Sequence, residues 1–161
     1  MKKTILAIAA TSLLSTTAMA GVAEKKAIRS ASANIVAQAA KTQLECGNET
    51  FDVSVDWDNV NTMIKNNKDA LKSDNYKGVW VIGHTGERTV AALKAMSKIC
   101  KDDADYKEEI ANVTNVMVTA KAKFGDSKST FSIEETTINV ESGHRMTRNQ
   151  SNFINPIKAL F

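Results

Sequence analysis

The chain has 161 residues, 43% hydrophobic and 24% charged, with a formal charge of +3 at neutral pH. That length suits one domain with a single core, and the weak charge excludes the strongly basic balance of a nucleic-acid binder. No stretch beyond the first twenty residues is apolar for the roughly 20 residues a membrane helix needs.

Lys2 and Lys3 precede an apolar run from Ile5 to Leu14 and a short segment ending Ala18-Met19-Ala20. This is the charged, apolar and small-x-small pattern of a secretory signal, so residues 1–20 are expected to be a leader and residues 21–161 a single α+β domain. Without Lys2 and Lys3 the formal charge falls from +3 to +1. No cysteine lies near the cut, so a free chain, periplasmic or secreted, is expected. Cys46 and Cys100 would meet an oxidising compartment and pair as a structural disulfide. Closing that loop stabilises the fold by about 3 to 4 kcal/mol in the loop-entropy picture.

Residues 22–45 are rich in Ala, Lys, Glu and Gln and lack Gly and Pro, which predicts one long helix ending before Gly47. Phe51, Val53, Val55 and Trp57 alternate with polar residues as a half-buried strand. Val60, Met63, Ile64 and Leu71 give the next segment a weak helical stripe, interrupted at Asn66 and Asn67. Val79 to Ile82 reads as a short core strand and Gly83-His84-Thr85-Gly86 as a turn. Thr85 then caps a helix from Glu87 to Lys101. Lys101 to Glu109 ends that helix and starts another short one. Val116 to Phe124, Thr130 to Glu134 and the segment around Ile138 and Val140 read as a three-stranded meander. Phe153, Ile154, Ile157, Leu160 and Phe161 close the chain in a helix packed on the sheet, with Pro156 tolerable only in its first turn. The fold class is therefore α+β, with an antiparallel sheet of about four strands and N-terminal, central and C-terminal helices.

Two polar clusters carry the candidate binding residues. His84, Thr85 and Arg88 lie at the expected strand-to-helix turn, where a histidine serves as acid, base or ligand and helix N–H groups hold an anion. His144, Arg145 and Arg148 lie in the polar connection before the last helix. The favoured reading of each cluster is a capped turn or solvated loop rather than a site. Gly83 to Gly86 lacks the Lys-Ser/Thr of a phosphate loop and the third glycine of a dinucleotide fingerprint, so no cofactor is expected. The cysteines and histidines are scattered singly, which speaks against a metal site. Asp52 and Asp56 share the polar face of a strand and read as surface charge, and Asp102, Asp103 and Asp105 lack the other ligands of a calcium loop. Asn48-Glu49-Thr50 matches a glycosylation acceptor but follows a bacterial-type leader, so no sugar is expected there.

A strand ending in Gly83-His84-Thr85 before a helix resembles the peptidoglycan-binding OmpA-like domain, and the resemblance implies cell-wall binding. It covers Val79 to Thr85. Gly86 stands where that family has aspartate, and the helix lacks its Arg-Ala, so no functional residue carries over. With no triad, metal cluster or nucleotide loop, the sequence points to a non-enzymatic exported protein that binds a macromolecule or serves the envelope. The alternatives are an OmpA-like cell-wall binder and a hydrolase using His84.

Overall fold

A computed structural model of the chain describes residues 21–145 and 149–161. The expected leader, Arg148 and its neighbours Met146 and Thr147 lie outside the described residues. In chain order the elements are α1 (Val22–Cys46), β1 (Asp52–Val55), α2 (Trp57–Asn66), α3 (Lys68–Ser73), α4 (Gly78–Asp102), α5 (Ala104–Ala111), β2 (Asn115–Ala120), β3 (Thr130–Glu134), β4 (Thr137–Ser142) and α6 (Ser151–Lys158). The fold is α+β, with six helices and a four-stranded sheet among the described residues.

The sheet is mixed, where an antiparallel one is expected from the sequence. Its order is β1-β2-β4-β3; β1 with β2 and β2 with β4 are parallel, and only β3 with β4 is antiparallel. A parallel neighbour requires a long crossover, and α2 through α5 supply it between β1 and β2. There is no three-stranded meander, because β2 stops at Ala120 and its connection carries the chain past β4 to the far edge. Phe124, expected as the end of that strand, is a buried residue of this connection instead. Asn59 and Asn67 fix the exit of β2. The Asn59 side chain accepts from the Ala120 N–H (2.7 Å), while Asn67 accepts from the Phe124 N–H (3.0 Å) and donates to the Ala122 carbonyl (2.8 Å). Asn67, where the sequence suggests an interruption, ends α2 and precedes α3.

Val116, Val118, Ile138 and Val140 face a core shared with α1, α4 and α6, while Ser54, Met117, Asn139 and Ser132 form one row on the opposite face. A second cluster joins Val60 and Met63 of α2 to Val81, Ile82 and Phe124. Asn48 is buried and donates to the Val113 carbonyl (2.6 Å), which removes its amide as a glycosylation acceptor.

The largest departure concerns Val79 to Ile82. They form no strand: α4 begins at Gly78, so Gly83, His84, Thr85 and Gly86 lie inside a 25-residue helix, and Thr85 caps nothing. Gly86 explains why a helix forms over so many poor helix formers. A Cβ there would stand 2.6 Å from the Ala31 Cβ, so glycine is what allows α1 and α4 to touch. Further along, the Thr42 hydroxyl meets the Leu93 carbonyl (3.1 Å) and the Ser97 hydroxyl (2.9 Å), and Cys46 is joined to Cys100 with Cα atoms 5.1 Å apart. These partners are separated by 51 to 55 residues in sequence throughout, so the two helices run parallel and in step.

The N-terminal helix ends as the sequence predicts, with Gly47 left-handed at φ 67°. Trp57 opens α2 rather than closing β1. Pro156 stands inside α6, beyond the first turn where it is expected, and Phe161 is exposed rather than packed.

Candidate functional site

Three parallel strands bring their carboxyl ends to one edge of the sheet, the edge at which open α/β sheets bind ligands. His144 and Arg145 follow directly from β4 there. The His144 backbone N–H donates to the Asp126 carbonyl (2.7 Å), and its ring Nε2–H donates to the Lys121 carbonyl (2.9 Å) beyond β2. Only 1% of His144 is exposed. Burial pushes its pKa below the ordinary 6.5, the Lys121 carbonyl opposes that, and the Arg88 charge adds to it. The imidazole is therefore neutral at pH 7, with Nδ1 a buried acceptor that has no hydrogen-bond partner among the described residues.

The Phe124 ring stacks on His144 at 6.0 Å and meets Tyr76 at 5.0 Å. Tyr76 turns its hydroxyl onto Nδ1 of His84. Arg145 lies over the Phe124 ring (4.5 Å) and pairs with Asp74. Thr85 is fully buried with its hydroxyl unbonded among the described residues, and Arg88 is buried and engaged. Thus His84 and His144, the two candidate centres, come to one region. Tyr76 and Phe124 link them through a chain of ring contacts. The sequence draws attention to His84, Thr85, Arg88, His144 and Arg145 as polar residues. Tyr76 and Phe124, which connect them, carry no signal of their own.

A separate open space lies between two helices. A groove of about 1020 Å³ runs between α1 and α4, with Gln150 and Asn149 at one side. Its floor is small, formed by Ala31, Gly83, Gly86 and Ala91, and follows from the close helix contact at Gly86. Gln38, only 8% exposed, reaches it from α1, with its Nε2 at 3.5 Å from the Thr42 hydroxyl. Lys41 and Lys94 line the groove from opposite helices, and the common step of about 54 residues that joins Cys46 to Cys100 sets them abreast.

The chain thus belongs structurally to the α+β proteins in which helices cover one face of a mixed sheet. Residues 1–129 match the family model described as FAD linked oxidases, C-terminal domain, and the chain belongs to that family. No curated protein and no solved structure shows significant similarity to it. The match overturns the expectation of a non-enzymatic binding or envelope protein, because this is a family of enzymes. It runs through the expected leader as well as the folded residues and gives no support to a periplasmic or secreted binding protein. The OmpA-like and hydrolase alternatives fall as well. The first needs a strand and turn where α4 is continuous, and the second gives way to a family model that names oxidases.

The described residues do not fit a flavin dinucleotide. A pyrophosphate is held by free backbone N–H groups at a helix start or glycine-rich turn, whereas the α1 and α4 walls of this groove are helix interiors, whose N–H groups are spent on the preceding turn, and the one helix start at its side, Gln150 before the short α6, carries no glycine. Gly86 meets Ala31 instead of leaving room for a phosphate, and no aromatic side chain lines the groove to stack on a flavin ring. Among the described residues no group of three or more His, Cys, Asp or Glu is placed to hold a metal ion. No helix among them is long and apolar enough to cross a membrane.

Proposed function

We propose that the chain is the part of a FAD-linked oxidase that holds substrate rather than flavin, with the α1–α4 groove as its working surface. The observation that carries this reading is the pairing of a large groove with walls unsuited to a dinucleotide. The family description supports it, since it names a C-terminal domain of such oxidases. On this reading the redox chemistry belongs to a flavin held by another unit, and this chain binds and orients what is oxidised. The small floor and the buried Gln38 amide suit a compact polar molecule.

Titration of FAD into the purified chain, followed by flavin fluorescence, tests the division of labour. The free chain is expected to leave the fluorescence unchanged. Saturable one-to-one quenching would overturn the proposal.

A further inference from the structure

We infer that β3 is a self-association edge: a second copy of this chain pairs its own β3 antiparallel to it about a two-fold axis at Ser132, joining two four-stranded sheets into one continuous sheet. No β3 residue lines the α1–α4 groove, so this surface works independently of what the groove holds.

The two edges of the sheet differ. At the β1 edge, Asp52 turns its own N–H to the Thr114 carbonyl (2.9 Å), so the neighbouring Val53 N–H points outward, where the Asp52 carboxylate accepts it (2.8 Å). Asp52 and Asp56 also bracket that strand with charge, and such devices keep an edge from pairing. At the other edge, β3 contains no Pro or Gly and keeps an unbroken register with β4 from Thr130 to Glu134. The two-residue turn at Glu135-Thr136 makes Glu134 and Thr137 a hydrogen-bonded pair, and alternation gives the same to Ser132 with Asn139 and Thr130 with Glu141. The N–H and C=O groups of Phe131 and Ile133 therefore point away from β4, and among the described residues no strand pairs with them.

An antiparallel copy centred on Ser132 matches these groups. Phe131 of each chain stands opposite Ile133 of the other, and every outward N–H meets an outward C=O. The side chains agree with the backbone. Phe131 and Ile133 are half-buried on the helix-covered face, and an aromatic residue opposite a β-branched one is a favourable cross-strand pair. Charge sets the direction. Lys128 stands two residues before β3, while Glu134 ends it and Glu135 follows. Antiparallel pairing lays the basic end of each copy against the acidic end of the other, whereas a parallel partner would set like charge on like.

The experiment is sedimentation equilibrium of the full chain over a concentration series, with cysteine cross-linking as a readout of register. The 17.5 kDa chain is expected to form a reversible dimer. Ser132→Lys puts two like charges on the axis and is expected to weaken that dimer at least tenfold without lowering the melting temperature, since Ser132 is exposed. Cys46 and Cys100 are bonded to each other, so Ser132→Cys adds a lone thiol. Its own copy across the axis is a non-hydrogen-bonded neighbour with Cα atoms about 4.5 Å apart, within disulfide reach, and mild oxidation is expected to give a covalent dimer. Asn139→Cys, in the same row but one strand inward, is expected to stay uncross-linked. A dimer indifferent to Ser132→Lys, or cross-linking of Asn139→Cys equal to that of Ser132→Cys, would overturn the pairing at β3. A chain that stays monomeric at millimolar concentration would overturn the second copy as occupant and leave the edge to a strand of another protein.

Discussion

Burial of His144 makes stability depend on pH. An unfolded histidine titrates near the ordinary 6.5, and burial against Phe124 holds the folded one lower. The unfolded chain therefore binds the extra proton first as the pH falls. The contribution of neutral His144 to stability is complete above the unfolded value and is lost as the pH drops below it toward the folded one. Arg88 and Lys121 oppose protonation and Asp126 favours it, while Arg145 lies on the same Phe124 ring. The urea midpoint is expected to fall between pH 7 and pH 5.5, and His144→Gln, which keeps a donor for the Lys121 carbonyl, should flatten that slope. An unchanged slope in the variant would place the titration elsewhere. Asp103 acts in a separate, more acidic window, because its hydrogen bond from Lys158 holds it below the ordinary 3.8. In the sequence His144 and Arg145 are visible as polar residues. That Phe124 lies against them is not, because the contact joins residues twenty apart through the turn after β2.

At the scale of the element, Gly83 and Gly86 make opposite predictions from the same helix. Nothing lies within 4 Å of a Cβ at Gly83, whereas one at Gly86 meets Ala31 at 2.6 Å. Gly83→Ala should stabilise the protein by about 0.5 to 1 kcal/mol through helix propensity. Gly86→Ala should destabilise it by about 1 to 3 kcal/mol by forcing α1 from α4. Thermal and urea unfolding of the two variants check both signs, and a destabilising Gly83→Ala would mean that residues 83–86 are not helical. The sequence favours a strand and turn here because Val79 to Ile82 are mostly β-branched and glycines follow. Yet the helical spacing of Val81, Ile82, Thr85, Thr89, Leu93 and Met96 continues through the glycines unbroken. Contact with α1 decides in favour of the helix. The sheet has a similar history: inward positions such as Val116, Val118, Ile138 and Val140 are legible from alternation, but alternation is the same for parallel and antiparallel neighbours. Strand direction depends on where the connections run, and the nine residues after β2 carry no signal that they pass β4 rather than form a hairpin.

For the molecule as a whole, the link between Cys46 and Cys100 closes a span of 54 residues and fixes the far end of the α1–α4 pair. Cys46→Ser with Cys100→Ser should lower stability by about 3 to 4 kcal/mol, read as a drop in the urea midpoint; an unchanged midpoint would show that the helices are held by their other contacts alone. The pairing is legible from the cysteine count, but the groove beside it is not, since it arises from two parallel helices whose contacts span more than fifty residues. Membership of an oxidase family is also invisible in the residues taken one at a time, because no motif of nucleotide or metal chemistry appears in them. The account stands most directly on the absence of a flavin cradle among the described residues. FAD titrated into the purified protein should keep its full fluorescence at every ratio. Stoichiometric quenching, reversed by Lys41→Gln with Lys94→Gln, would put the flavin in the groove and contradict the division of labour proposed here.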